Sequence, residues 1–163
     1  MPMLIPSEIN DGLSLARSSP RHRYPKLLHG HGDELNRVFN FMTQDSYMQP
    51  HLHPGPEKIE FIHVVSGTLA VIFFDDNGMI TDCTLLSTTG TSYVKVPAFT
   101  WHTYIITSTS AVTYETMMGV YNPETWKHFA SWAPVEGHSD SYSYFKNLSN
   151  YASSLFTNIA KKT

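Results

Sequence analysis

Thiol, single-sign charge and lipid chemistry find little to work with in this chain of 163 residues. Cysteine occurs once, at Cys83, so no intrachain disulfide can form and a reducing compartment suits the protein. No apolar run approaches membrane-spanning length, and the opening stretch MPMLIPSEINDGLSLARSSPRHRYPK lacks an apolar core of signal-peptide length. The expectation is a soluble, cytoplasmic protein with no membrane partner. Neither sign of charge dominates. Eleven Lys and Arg stand against fourteen Asp and Glu, a net charge of −3 with histidine neutral, which removes the case for nucleic acid as the main partner. Internal repeats and low-complexity tracts are also missing. What remains, 41% hydrophobic and 13% aromatic, suits a single packed domain with a sizeable core.

Along the chain, residues 1–46 read as an N-terminal arm, broken by Pro, Gly and Ser. It ends in a short helix over 33–42, where Leu35, Val38, Phe39 and Met42 fall at helical spacing behind Asp33. Residues 47–119 switch to β-branched and aromatic runs bounded by turn residues: IEFIHVVSG, TLAVIFFDD, MITDCTLLS, TSYVKVPA, WHTYIITS and AVTYETMMG. Asp76-Asn77-Gly78 signals a hairpin, and LAVIFF, apolar on both faces, a central strand covered on each side. Short strands without intervening helices indicate an antiparallel sandwich or barrel. Residues 120–163 form a loop and then an amphipathic helix, with Tyr144, Leu148, Tyr151, Leu155 and Ile159 along one face and Ser139 or Asp140 as its cap.

Nine histidines are many for this length and point toward metal or acid–base work. In MQPHLHPGPEKIEF, His51 and His53 are two apart, and Pro50 and Pro54 favour an extended backbone that projects both imidazoles from one face. Glu60 opens the next strand and His102 a later one. In a small barrel their inward side chains converge, and three imidazoles with one carboxylate hold a first-row divalent ion with positions left open. A lone strand histidine is usually a hydrogen-bonded core or surface residue, but this combination is harder to explain that way. Glu57 is also within reach of the ion; Glu60 is preferred because it keeps a six-residue step to Gly67. His63 falls on the opposite face, as a second-layer or interface residue. His22, His29, His31, His128 and His138 lie in loop-like sequence.

On these residues the chain resembles the cupins. Their first motif is a His-x-His pair, a downstream Glu, six residues and a Gly, matched by His51, His53, Glu60 and Gly67. Their second runs from Gly through Pro to His, matched by Gly90, Pro97 and His102, with Phe99 where a Gly is usual. The stretches SPRHRYPKLLHGHGDELNRVFNFM, FDDNGMITDCTLL and GVYNPETWKHFASWAPVEG resemble the cupin-fold metalloproteins of the WbuC type, over roughly residues 17–137. That group tends to be encoded with surface-polysaccharide genes. The resemblance implies an all-β cupin fold (double-stranded β-helix, or jelly-roll barrel) with a short N-terminal and a C-terminal helix. It also implies a divalent Zn, Fe, Ni or Mn on His51, His53, Glu60 and His102. A homodimer is expected, because the face of Phe61, His63 and Val65 is too apolar to lie in water; the N-terminal arm or C-terminal helix are the other candidates to cover it.

Around that centre Tyr104 and Glu115 are the candidate catalytic groups, if both face the interior. Arg21 and Arg23 are candidates to hold an anionic group, although a solvated basic arm serves as well. Tyr121 and Lys127, with Trp126 and Trp132, are placed to close over the mouth. The function expected is metal-dependent catalysis on a small polar substrate, a sugar or nucleotide sugar, by isomerisation, epimerisation or oxygenation. The alternative is a non-catalytic, metal-stabilised sugar-binding or regulatory module.

Overall fold

Most of residues 23–118 form strands that alternate side chains between two faces and satisfy their backbone by pairing. The computed structural model describes residues 2–160, without the side chains of 156–160. In chain order the elements are α1 (Pro6–Ser18), β1 (Arg23–Leu27), β2 (Leu35–Thr43), β3 (His51–Leu52), β4 (Glu60–Ser66), β5 (Thr68–Phe74), β6 (Ile80–Ser87), β7 (Tyr93–Val96), β8 (Trp101–Ile106), β9 (Ser110–Met118), β10 (His128–Phe129) and α2 (Ser141–Ala160). Two five-stranded antiparallel sheets, β1-β2-β9-β4-β7 and β10-β3-β8-β5-β6, pack face to face. This is the expected all-β jelly roll with a helix at each end of the chain.

The space between the sheets is graded along the strands. Val64, Leu69, Ile106 and Ala111 fill one end with a dry core, while Glu60 and His102, on the same strands, stand at the other. Strand β5 behaves as its composition demands. Leu69, Val71 and Phe73 enter that core, and Ala70, Ile72 and Phe74 pack under Leu148 and Ala152 of α2. The β5–β6 hairpin turns at Gly78, whose φ is +83°, with Asp75 accepting from the amides of Asn77 and Met79. Gly67 joins β4 to β5 with φ +77°, and a Cβ there would lie 2.2 Å from the Ser110 carbonyl oxygen. Only glycine passes.

One expected element is replaced. Residues 33–42 are not a helix: 35–43 form β2, which pairs along its whole length with β9. The apolar positions that suggested a helix belong to both faces of a strand. Phe39 and Phe41 point outward against Leu13 and Ala16 of α1, while Asn36, Val38, Asn40 and Met42 point inward. Tertiary pairing outweighs local period here. The N-terminal helix is instead α1, inside the stretch read as an arm. It covers part of the apolar outer face, including Val65, while Phe61 stays 36% exposed. In α2, Leu148 and Ala152 are buried as the periodicity predicts; the side chain of Ile159 lies outside the described residues.

Candidate metal centre

Two prolines and a two-residue strand set the first two imidazoles. Strand β3 lies between β10 and β8, and its register places His51 opposite His102, with ring centroids 4.5 Å apart. His53 follows two residues on, its centroid 5.2 Å from that of His51 and 5.6 Å from that of His102. Its carbonyl accepts from the amide of Phe99, which adopts φ +58°. The position where the cupin motif has glycine thus adopts a left-handed backbone here although phenylalanine occupies it. Glu60 reaches in from the facing sheet, so three imidazoles from one sheet meet a carboxylate from the other. Glu57 is exposed in the preceding turn, and Glu60 is the carboxylate at the imidazoles.

Hydrogen bonds fix the tautomer of every ring. The Nδ1 atoms of His51, His53 and His102 lie 3.1, 2.8 and 2.9 Å from the carbonyl oxygens of Gln49, Trp126 and Thr100. A carbonyl only accepts, so each Nδ1 carries the hydrogen and each Nε2 is left with a lone pair. The Nε2 atoms of His51 and His53 are buried without a hydrogen-bond partner. One donor atom from each of the three rings lies within 4.8 Å of the other two. The Glu60 Oε2 stands 3.1 Å from His102 Nε2 and 3.6 Å from His53 Nε2. Orphaned lone pairs facing a carboxylate suit a cation between them, and a three-nitrogen, one-oxygen donor set suits a first-row divalent ion.

The electrostatics agree. Burial, reinforced by Lys127, holds His51 well below the ordinary histidine pKa, so it stays neutral as a ligand must. Burial works against the charge of Glu60, but the facing His102 and His53 imidazoles outweigh it and hold the carboxyl well below its usual value. Tyr104 donates to Glu60 Oε1 at 3.2 Å, and burial, then Glu115 and Glu60, keep its phenol protonated. Glu115 does face the interior. Its oxygens accept from Thr113 Oγ1 and Asn40 Nδ2, both at 2.7 Å. Burial first, and the charge of Glu60 second, push its carboxyl up to about 7.

Against His53 and Glu60 opens a cavity of about 560 Å³. Tyr121, Trp126 and Lys127 line it as expected, while Trp132 packs instead on Phe74 and Trp101. Arg21 and Arg23 also reach the cavity, but both guanidinium groups are engaged by Glu136, through Arg21 Nε at 2.9 Å and Arg23 Nη2 at 2.5 Å. Arg23 further donates to the Tyr47 carbonyl at 2.8 Å. Their first task is to fasten the 120–140 segment to the barrel. His63 stacks on Tyr93 at 5.3 Å, away from the centre. Sequence reading missed Glu136, Asn40 and Thr113. Treating 35–43 as a strand would have turned Asn36, Val38 and Asn40 inward and found Asn40; nothing local marks Glu136.

Among known proteins, a family model described as a domain of unknown function, DUF6016, matches residues 6–86. No curated protein matches by sequence. Among solved structures, an oxalate oxidase in complex with the substrate analogue glycolate superposes with a TM-score of 0.53 at 14% identity, over 69% of this chain and 57% of that one. The DMSP lyase DddQ from Ruegeria pomeroyi DSS-3 gives 0.53 at 16% identity, over 71% and 54%. The capsular polysaccharide assembling protein CapF from Staphylococcus aureus gives 0.51 at 20% identity, over 64% and 32%. The chain therefore spans little more than half of the first two chains and about a third of the last. Likeness at these identities speaks for the fold, the two-sheet cupin jelly roll that the motifs implied.

Proposed function

We propose that this chain, a cupin by fold, is a metal-dependent enzyme that moves a proton on a small polar substrate. The observation that carries the reading is the pair of buried, partnerless Nε2 atoms of His51 and His53, grouped with His102 and beside Glu60, with His53 and Glu60 lining an open cavity. His51, His53, His102 and Glu60 would hold the ion, whose contribution when bound is Lewis acidity toward a substrate oxygen. The protein supplies the rest. Glu115, fixed by Thr113 and Asn40, takes a proton from substrate carbon and returns it. Tyr104 holds Glu60 in place, and Trp126 and Tyr121 wall off water at the mouth. Such an arrangement suits isomerisation or epimerisation beside a carbonyl better than a purely structural ion, which needs no cavity. Resemblance to the WbuC type, and the structural likeness to the capsular polysaccharide assembling protein CapF, favour a sugar or nucleotide sugar in surface-polysaccharide assembly.

The test has two stages. Purified protein should bind one equivalent of Co(II) or Zn(II) per chain, and the double variant His51→Ala/His102→Ala should bind none. In D2O, candidate ketoses and nucleotide sugars should exchange a carbon-bound hydrogen, with Glu115→Gln slowing exchange about 10²–10⁴-fold. Oxygen uptake with Fe(II) and no exchange would move the chemistry to oxygenation. A chain that binds metal and does neither would be a binding module. The homodimer expected from sequence would bury Phe61 and Tyr93, and sedimentation at micromolar concentration should then show the dimer.

A further inference from the structure

We propose that the substrate of this site is a small organic anion, whose carboxylate or phosphate oxygens lie between the Lys127 ammonium and the three-imidazole centre. The proposal rests on the metal reading above and adds the charge and placement of the ligand. Lys127 immediately precedes β10, which pairs with β3, and its side chain lines the same cavity as His53 and Glu60. The ammonium is close enough to act electrostatically on His51, Glu60 and Glu115. Yet among the described residues it makes no salt bridge or hydrogen bond. The other two cations of the lining, Arg21 and Arg23, are both spent on Glu136. A half-buried lysine without a partner is unusual, because removing its charge from water is unfavourable unless an anion compensates.

The charge of the whole lining points the same way. Arg21, Arg23 and Lys127 offset Glu60, Glu115 and Glu136. A divalent ion on the imidazoles leaves the cavity with two excess positive charges. Lys127 and that ion repel each other across the cavity floor, and an anion bridging them relieves the repulsion; a neutral polyol does not. Away from the centre, Pro25, Leu27, Val38, Met48 and Met117 make the wall largely apolar. The ligand therefore presents its charge inward and a less polar end outward.

Co(II)-loaded protein, followed by visible absorption, is titrated with malonate, inorganic phosphate and neutral 1,2-ethanediol. One of the two anions should perturb the spectrum at millimolar concentration or below, identifying the head group, and the diol should not. Lys127→Met should weaken that anion at least 10-fold while Co(II) affinity holds or rises, and Lys127→Arg should recover most of the loss. Unfolding temperatures of both variants establish that they fold. Equal anion affinity in wild type and Lys127→Met, or diol binding as tight as either anion, overturns the proposal. Failure of wild type to bind Co(II) at all overturns the metal reading instead, so the two are separated in the first titration.

Discussion

Which nitrogen of an imidazole is already occupied decides whether a histidine can serve as a ligand. At positions 51, 53 and 102 a backbone carbonyl occupies Nδ1; at 63 an aromatic stack holds the ring instead. The sequence showed the spacing of these histidines but not the carbonyls, because Trp126 lies 73 residues from His53. Phe99 stands where the motif normally has glycine, and the backbone there adopts φ of +58°. Phe99→Gly should therefore stabilise the fold by up to about 1 kcal/mol, the left-handed penalty less glycine's entropy, seen as a higher denaturation midpoint. Cys83 offers a second check. Burial, then Asp82, pushes its thiol up to about 11, so iodoacetamide at pH 7.5 should alkylate it about 100-fold more slowly than free cysteine.

Elements were legible where both faces of a segment told the same story. LAVIFF, buried on each side, could only be an inner strand; residues 35–43 satisfied a helical period by accident, and only pairing with β9 decided between them. The same β2 strand explains why α1 contains a glycine. A Cβ on Gly12 would lie 2.4 Å from the Phe41 ring, so the helix sits closer to the sheet than any larger residue allows. Gly12→Ala, which gains about 1 kcal/mol in an ordinary exposed helix, should here lose about 1–3 kcal/mol by overpacking. Thermal denaturation gives the sign directly, and a stabilised variant would show that α1 does not rest on Phe41.

On the scale of the whole molecule, a carboxylate far along the chain holds the N-terminal segment to the post-barrel loop. Burial alone would raise the Glu136 carboxyl, but Arg21 and Arg23 outweigh it and lower its pKa. A group depressed in the folded state contributes stability above its unfolded value, near 4.3, and loses it as pH falls through the folded one. Glu136→Gln should thus be less stable by about 1–3 kcal/mol at pH 7, the difference shrinking below about pH 4 in urea titrations across pH. No short-range pattern announces such a pairing, since its partners are 113 and 115 residues apart.

The carbonyl of Trp126 on His53 has one more consequence, for the growing polypeptide. Strands β1 to β9 and the four candidate ligands leave the ribosome before the residue that sets the second imidazole does. A nascent chain ended at Gly119 therefore presents His53 with a free choice of tautomer and no β10 beside β3. The second imidazole is thus oriented only once the post-barrel loop has been made and folded back against it.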